Sequence, residues 1–405
     1  MDIETHPLTR DDLPAIERVL GAAFGEPWPP EEREVDAAIL DWARTYGVRD
    51  GTELVGQAAD LPLQLTVPGG AQVPCAGVTW VSVLPTHRRR GILTGMMRQQ
   101  LADIRDRGEP LALLWASESV IYGRFGYGLA TQQAEYVLRG RDHRVAAPDD
   151  APAVRLLARD EAIPELKRIF DEVRRQRAGM IGLSPAMWEG VLLDTDARRA
   201  GHTALFFAVA GEDHAAAFAL YRAKGNMEGQ LAANQVRVLL VMGTDPAAEA
   251  ALWRYLLGVD LTTEWTIRRR PLDDALPWML ADPRRLRRDV YDATWLRIVD
   301  VAAALRARSY AADGELRLEV VDGFCPWNEG TYVLAVDQGR GEVERADGGA
   351  DLRLSAADLG ALYLGGVRPG VLAAAGRVDE LRAGALARAD AMFTGDHAPW
   401  CPIVF

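Results

Sequence analysis

Between positions 92 and 104 the apolar residues Ile92, Leu93, Met96, Met97, Leu101 and Ile104 recur at three- and four-residue spacing, which predicts an amphipathic helix. In front of that helix, Val81-Ser82-Val83 reads as a β-branched strand, followed by the Pro-punctuated turn Leu84-Pro85-Thr86-His87-Arg88-Arg89-Arg90-Gly91. Behind it, Leu111-Ala112-Leu113-Leu114-Trp115-Ala116 is a short apolar run bounded by Glu109-Pro110 and Ser117-Glu118, as a buried strand would be. Ile121-Tyr122-Gly123-Arg124-Phe125-Gly126-Tyr127-Gly128 follows at once. Nearer the start, the pattern predicts a helix with Asp11-Asp12 at its beginning, a Pro/Gly-rich loop around Pro27 to Pro30, and strands near 53 to 83.

The remainder divides in two. Arg141 to Asp150 is polar, and Ala147-Pro148-Asp149-Asp150-Ala151-Pro152 reads as a linker, so a first domain spans 1–145. A second, 153–295, carries helices at Pro164 to Gly179 and Ala247 to Gly258, with strands at His202 to Ala210, Ala216 to Ala223 and Gln235 to Gly243. This is again an alternation of strand and helix. Its strand-to-helix junction, Met242-Gly243-Thr244-Asp245-Pro246, carries an acid where the first domain carries arginines. A third domain, 296–405, has alternating strands at Gly314 to Val321 and Gly330 to Val336, further strands near 341–345 and 351–354, and helices at Ser355 to Leu364, 370–376 and 379–393.

Composition places the chain among ordinary globular proteins: 405 residues, 49% hydrophobic and 26% charged. The sequence holds no uninterrupted apolar run of about 20 residues and opens on Asp2 and Glu4, without the pattern of a secretory leader, so the expectation is cytoplasmic and not membrane-bound. Cys75, Cys325 and Cys401 are too few and scattered for a disulfide framework or a zinc site, and no metal is expected. A formal charge of −12 argues against nucleic-acid binding and is compatible with a cationic substrate.

The turn at 84–91 is suited to an anion. The first N–H groups of a helix lack internal partners, the helix dipole is positive there, and Gly91 lets main chain approach closely. Arg88, Arg89 and Arg90 add charge at the same place, although such a turn is also compatible with a plain solvated basic surface.

Strand, Arg-x-x-Gly turn, helix, strand, then Tyr-x-x-x-Gly-aromatic resembles the acyl-CoA half of the GCN5-related N-acetyltransferases (GNAT). The longer strings Val-x-Pro-Thr-His-Arg-Arg-Arg-Gly, Ala-Ser-Glu and Ile-Tyr-Gly-Arg-Phe-Gly-Tyr-Gly are similar to the enhanced intracellular survival (Eis) family of actinobacterial acetyltransferases, over the whole chain. Leu93 departs from the superfamily pattern, where a small residue usually stands. The resemblance implies an α+β chain of two tandem GNAT-like α/β domains, the second degenerate and without cofactor binding, and a closing sterol-carrier-like domain. It implies acetyl-CoA as co-substrate, a small-molecule amine as partner, and a homo-hexamer. Acetyl-CoA would lie along Val81, Ser82 and Val83, its pyrophosphate at the turn from Arg88 through Arg89, Arg90, Gly91, Ile92 and Leu93 to Thr94, with Ser117 and Glu118 also in contact with it. In the central region Trp253, Trp265, Trp278 and Trp295 are candidates for core or interface.

Acetyl transfer to an amine requires a base for the amine and an acid for the departing thiolate. Tyr122 suits the acid, since a phenol of pKa about 10 stays protonated where a thiol of about 8.5 does not; a packing role is the alternative, and Tyr127 fits that role better. None of the six histidines has a catalytic context, and His87 is placed to orient the arginine turn. The resemblance supplies the base: the terminal carboxylate of Phe405, at the end of an apolar tail, Ala398-Pro399-Trp400-Cys401-Pro402-Ile403-Val404-Phe405, twice stiffened by proline. By position it also brings Phe24 and Glu26 to the acceptor loop, with Trp28 beside them, for an aminoglycoside-like or polyamine-like amine. Val404 stands where relatives can carry an acid, which removes one ammonium partner. A lipid-binding carrier and an acyl-CoA sensor are the competing functions.

Overall fold

The computed structural model describes residues 4–25, 28–141, 143–212 and 214–405. The chain forms two compact units, one of residues 1–131, 178–193 and 293–405 and the other of 132–177 and 194–292.

The first unit contains a seven-stranded sheet in the order His6–Pro7, Thr45–Asp50, Glu53–Thr66, Gln72–Val83, Leu111–Trp115, Thr294–Ile298, Tyr127–Leu129. Gln72–Val83 and Leu111–Trp115 are parallel, so the chain between them crosses the sheet, and helix Ile92–Asp106 makes that crossing. Ile92, Met96, Met97, Leu101 and Ile104 are buried against the sheet, whereas Leu93 is only half-buried. The parallel pairing runs from Cys75↔Leu111 to Val78↔Leu114, and there the two strands part. On its other side Gln72–Val83 pairs with Glu53–Thr66, with a register shift between Gln57 and Ala59. Trp80 sits opposite that irregularity with φ +54°, left-handed backbone that costs a non-glycine residue about 1–3 kcal/mol.

The second unit has a sheet of the same plan: Val154–Leu157, Phe206–Ala210, Ala217–Lys224, Asn234–Gly243, Thr262–Arg270, Gln132–Arg139, Leu286–Asp292. Here too the fourth and fifth strands are parallel, with helix Pro246–Leu257 between them. Its N-terminus is occupied by the protein itself: the Asp245 side chain accepts from Ala247 N at 3.0 Å, and Pro246 stands in the first turn. Behind it the fully buried Arg270 is held by Asp274 at 2.8 and 3.0 Å and by Glu249 at 2.8 Å. The sixth place in each sheet is filled from the other half of the chain. Strand Gln132–Arg139, placed by sequence in a 1–145 domain, belongs to the second sheet, and Thr294–Ile298, which a cut at 295 would divide, belongs whole to the first. Alternating periodicity predicts a strand but not its neighbours, so the reading of contiguous domains misses this.

The C-terminal sheet, in the first unit, runs Arg340–Ala346, Gly330–Asp337, Gly314–Val321, Leu352–Ser355, Val378–Glu380. The stretch 379–393, read as one helix, is the end of that last strand followed by helix Ala385–Phe393, which begins after Gly384 at φ +84°. Helix Ala356–Tyr363 is buried at every residue. It packs on Tyr127–Leu129 and Thr294–Ile298 through glycines: a Cβ on Gly128 would stand 1.8 Å from Ala357 O, and one on Gly360 2.3 Å from Leu296 O. Arg308 is buried among Tyr310, Tyr363 and Phe393. It donates to Tyr363 O and Phe393 O, the carbonyl ends of two helices, where the dipole favours a cation.

Candidate active site

Where Gln72–Val83 and Leu111–Trp115 part, a cleft of about 740 Å³ opens. Val81, Ser82 and Val83 form one wall, and Ser117 and Glu118, just beyond Trp115, form the other. Its end is the turn before helix Ile92–Asp106: Arg88, Arg89, Gly91, Ile92, Leu93 and Thr94 all line it. Gly91 is the N-cap residue at φ +86°, and a Cβ there would meet nothing within 4 Å, so the helix N-terminus faces open space. Leu93, at the helix mouth and half-buried, lines the cleft and also packs against the core.

The arginines diverge. Arg88 Nη2 donates to Ala23 O at 3.0 Å, tying the turn to the end of helix Leu13–Phe24. Arg90 does not line the cleft; its Nη2 donates to Thr86 O at 3.1 Å. Arg89 lines it from a left-handed backbone position, φ +62°. The imidazole of His87 spans Thr86 Oγ1 at 2.8 Å and Asp50 Oδ2 at 3.3 Å, fixing the turn to the hairpin below.

A second cleft, of about 470 Å³, adjoins the first. Phe24, Val81, Ser117 and Tyr122 line both. Tyr122 is only 6% exposed, touches the Tyr127 ring edge-on at 5.9 Å between centroids, and burial pushes its phenol up to about 12. Phe405 and Trp28 line the second cleft; Glu26 lies outside the described residues. The tail reaches this place by insertion. Trp400 N donates to Ala178 O at 2.9 Å, Trp400 to Ile403 are buried, and a Cβ on Gly77 would stand 3.1 Å from Phe405 Cε2.

Sequence reasoning misses Asp36, which lines the second cleft from helix Pro30–Ile39 and accepts from Trp28 Nε1 at 2.9 Å. The prolines that suggest a loop at 27–30 also start this helix, since proline suits a first turn. Trp80, stacked edge-on against Trp28 at 4.9 Å, and Trp115 complete an aromatic wall.

Comparison with known proteins decides the family. Residues 4–130 match an acetyltransferase (GNAT) domain model, 179–298 a second one, and 301–402 a sterol carrier protein domain. The chain is 36% identical to the N-acetyltransferase Eis of Mycobacterium tuberculosis over 96% of both chains. It belongs to the Eis family of GNAT N-acetyltransferases. It is also 43% identical, over 99% of both chains, to an uncharacterized N-acetyltransferase of Streptomyces coelicolor. The crystal structure of Eis1 from Mycobacterium abscessus, 33% identical, matches with a TM-score of 0.87 over 99% of this chain and 100% of that one. The architecture is thus two GNAT domains followed by a sterol-carrier domain, and the chain is an acetyltransferase acting on amines; GNAT enzymes take acetyl-CoA as co-substrate. Among the described residues no helix is long and apolar enough to cross a membrane.

Proposed function

We propose that this Eis-family member transfers the acetyl group of acetyl-CoA to a primary amine of a small cationic compound, aminoglycoside-like or polyamine-like. The observation that carries this reading is the position of Tyr122, shared by two adjoining clefts of which the second is lined by the last residue of the chain.

Acetyl-CoA occupies the first cleft. Its pantetheine arm runs along Val81 and Val83, beyond the point where their strand stops pairing with Leu111–Trp115, and its pyrophosphate meets the N-terminus of helix Ile92–Asp106 beside Arg89 and Gly91. The amine enters the second cleft, where Asp36 attracts it and Phe24, Trp28 and Trp80 cover its apolar parts. The Phe405 carboxylate, of a class ionised above about pH 3.7, accepts the amine proton as nitrogen attacks the thioester carbonyl. Collapse of the tetrahedral intermediate breaks the carbon–sulfur bond, and Tyr122 donates its phenolic proton to the leaving thiolate. Products are the acetamide and free CoA. Assembly as a homo-hexamer and a cytoplasmic setting belong to the same reading.

A thiol-release assay over a panel of amines tests it, run beside calorimetry with acetyl-CoA and with a fatty acid. Amine-dependent CoA release is the expected result. Acetyl-CoA binding without turnover would make the protein a sensor, and fatty-acid binding alone a carrier.

A further inference from the structure

We infer that Trp115 is the positioning residue for the terminal carboxylate. The inference rests on the reading of the Phe405 carboxylate as base. Trp115 closes strand Leu111–Trp115 and is held there by pairing with Thr294. Its indole Nε1 donates to Ile403 O at 3.0 Å, and the Cys401 thiol approaches the same carbonyl at 3.3 Å. Ile403 is the last buried residue of the tail; Val404 is 50% exposed and contributes no comparable packing. Between the buried anchor and the carboxylate the chain therefore has one loosely held residue. Two fixed points flank it: the Trp115 hydrogen bond on Ile403, and the seat over Gly77 on which the Phe405 ring lies. A carboxylate two residues past a fixed carbonyl keeps its direction only if that carbonyl keeps its own. Trp115 also lines the acceptor cleft, so its alternative role is that of a wall that touches substrate and nothing more.

Three measurements separate these roles. Trp115→Phe retains an aromatic ring and removes the donor, while Trp115→His restores an N–H. Trp115→Phe is expected to lower kcat about three- to tenfold, the range an ordinary hydrogen bond is worth, with KM for acetyl-CoA unchanged. It is expected to speed release of Phe405 from the folded protein by carboxypeptidase, and Trp115→His to reverse part of both effects. In a protein extended by two glycines, whose carboxylate is already displaced, Trp115→Phe is expected to cost nothing further in kcat. An unchanged release rate overturns the inference whatever happens to kcat. Equal loss in the extended and native proteins overturns it in favour of the wall. Full activity of the extended protein alone instead removes the base reading, and the release rate then still reports whether Trp115 holds the tail.

Discussion

The indole N–H of Trp28 donates to Asp36 Oδ2 at 2.9 Å, and both residues line the cleft that holds Phe405. This bond holds the carboxylate of Asp36 against an aromatic wall. Asp36→Asn keeps the shape and a hydrogen-bonding oxygen for Trp28 but removes the charge. A charge-assisted hydrogen bond to an ammonium contributes about 1.5–3 kcal/mol, so KM for the amine is expected to rise about tenfold or more. KM for acetyl-CoA should stay put; steady-state kinetics with each substrate varied in turn check this.

Gly91→Glu places bulk and negative charge at the mouth of helix Ile92–Asp106, on a backbone at φ +86° that favours glycine. Acetyl-CoA affinity, measured by calorimetry, is expected to fall by at least about tenfold, the equivalent of roughly 1.4 kcal/mol. Unchanged affinity would move the pyrophosphate elsewhere.

Burial holds the Tyr122 phenol at about 12, above its ordinary value, so the donor stays protonated throughout the neutral range. Tyr122→Phe is therefore expected to lower kcat by a similar factor, roughly 100-fold or more, at every pH from 6 to 9, displacing the curve without changing its shape. The stability consequence has a definite sign. Between about pH 10 and about 12 the folded protein keeps a proton that the unfolded chain loses, so this tyrosine lowers stability as pH rises through that window. Comparing the Tm of Tyr122→Phe with that of the parent at pH 9 and pH 11 reads that loss directly: the variant should lose less on going up.

Much of this arrangement is legible in the sequence, and the parts that are not share a cause. The stripe from Ile92 to Ile104 marks its helix because burial repeats with the helical period; Leu93, half-buried, packs on the core and lines the cleft as well. The two prolines and the apolar residues of 398–403 mark a tail that inserts, and Trp400 to Ile403 are buried. Asp36 is not legible, since its helix opens with prolines and carries a single buried residue, Ala37. Nor are the places of Gln132–Arg139 and Thr294–Ile298, because strand periodicity gives a face and not a neighbour. Arg308 belongs with these: a guanidinium held by the carbonyl ends of two helices leaves no mark on local pattern.

Of the four tryptophans open to core or interface roles, Trp253 and Trp265 are buried and Trp295 half-buried, while Trp278 is 89% exposed. Core packing thus accounts for Trp253 and Trp265 and leaves Trp278 available to an assembly. Light scattering is expected to return about six times the chain mass of 44.3 kDa; a value near 44.3 kDa would exclude the hexamer.

The most direct test of the catalytic account is the turnover of a protein extended by two glycines after Phe405. The extension turns the carboxylate of Phe405 into an amide and carries the charge away, while Arg89 and Gly91 line the first cleft and not the one that Phe405 lines. With acetyl-CoA affinity unchanged by calorimetry, kcat is expected to fall by roughly 10²- to 10⁴-fold, the usual worth of a positioned general base. An extended protein that binds acetyl-CoA normally and turns over at the parent rate would contradict the account and return the base to an internal acid, with Glu26 and Asp36 the first to test.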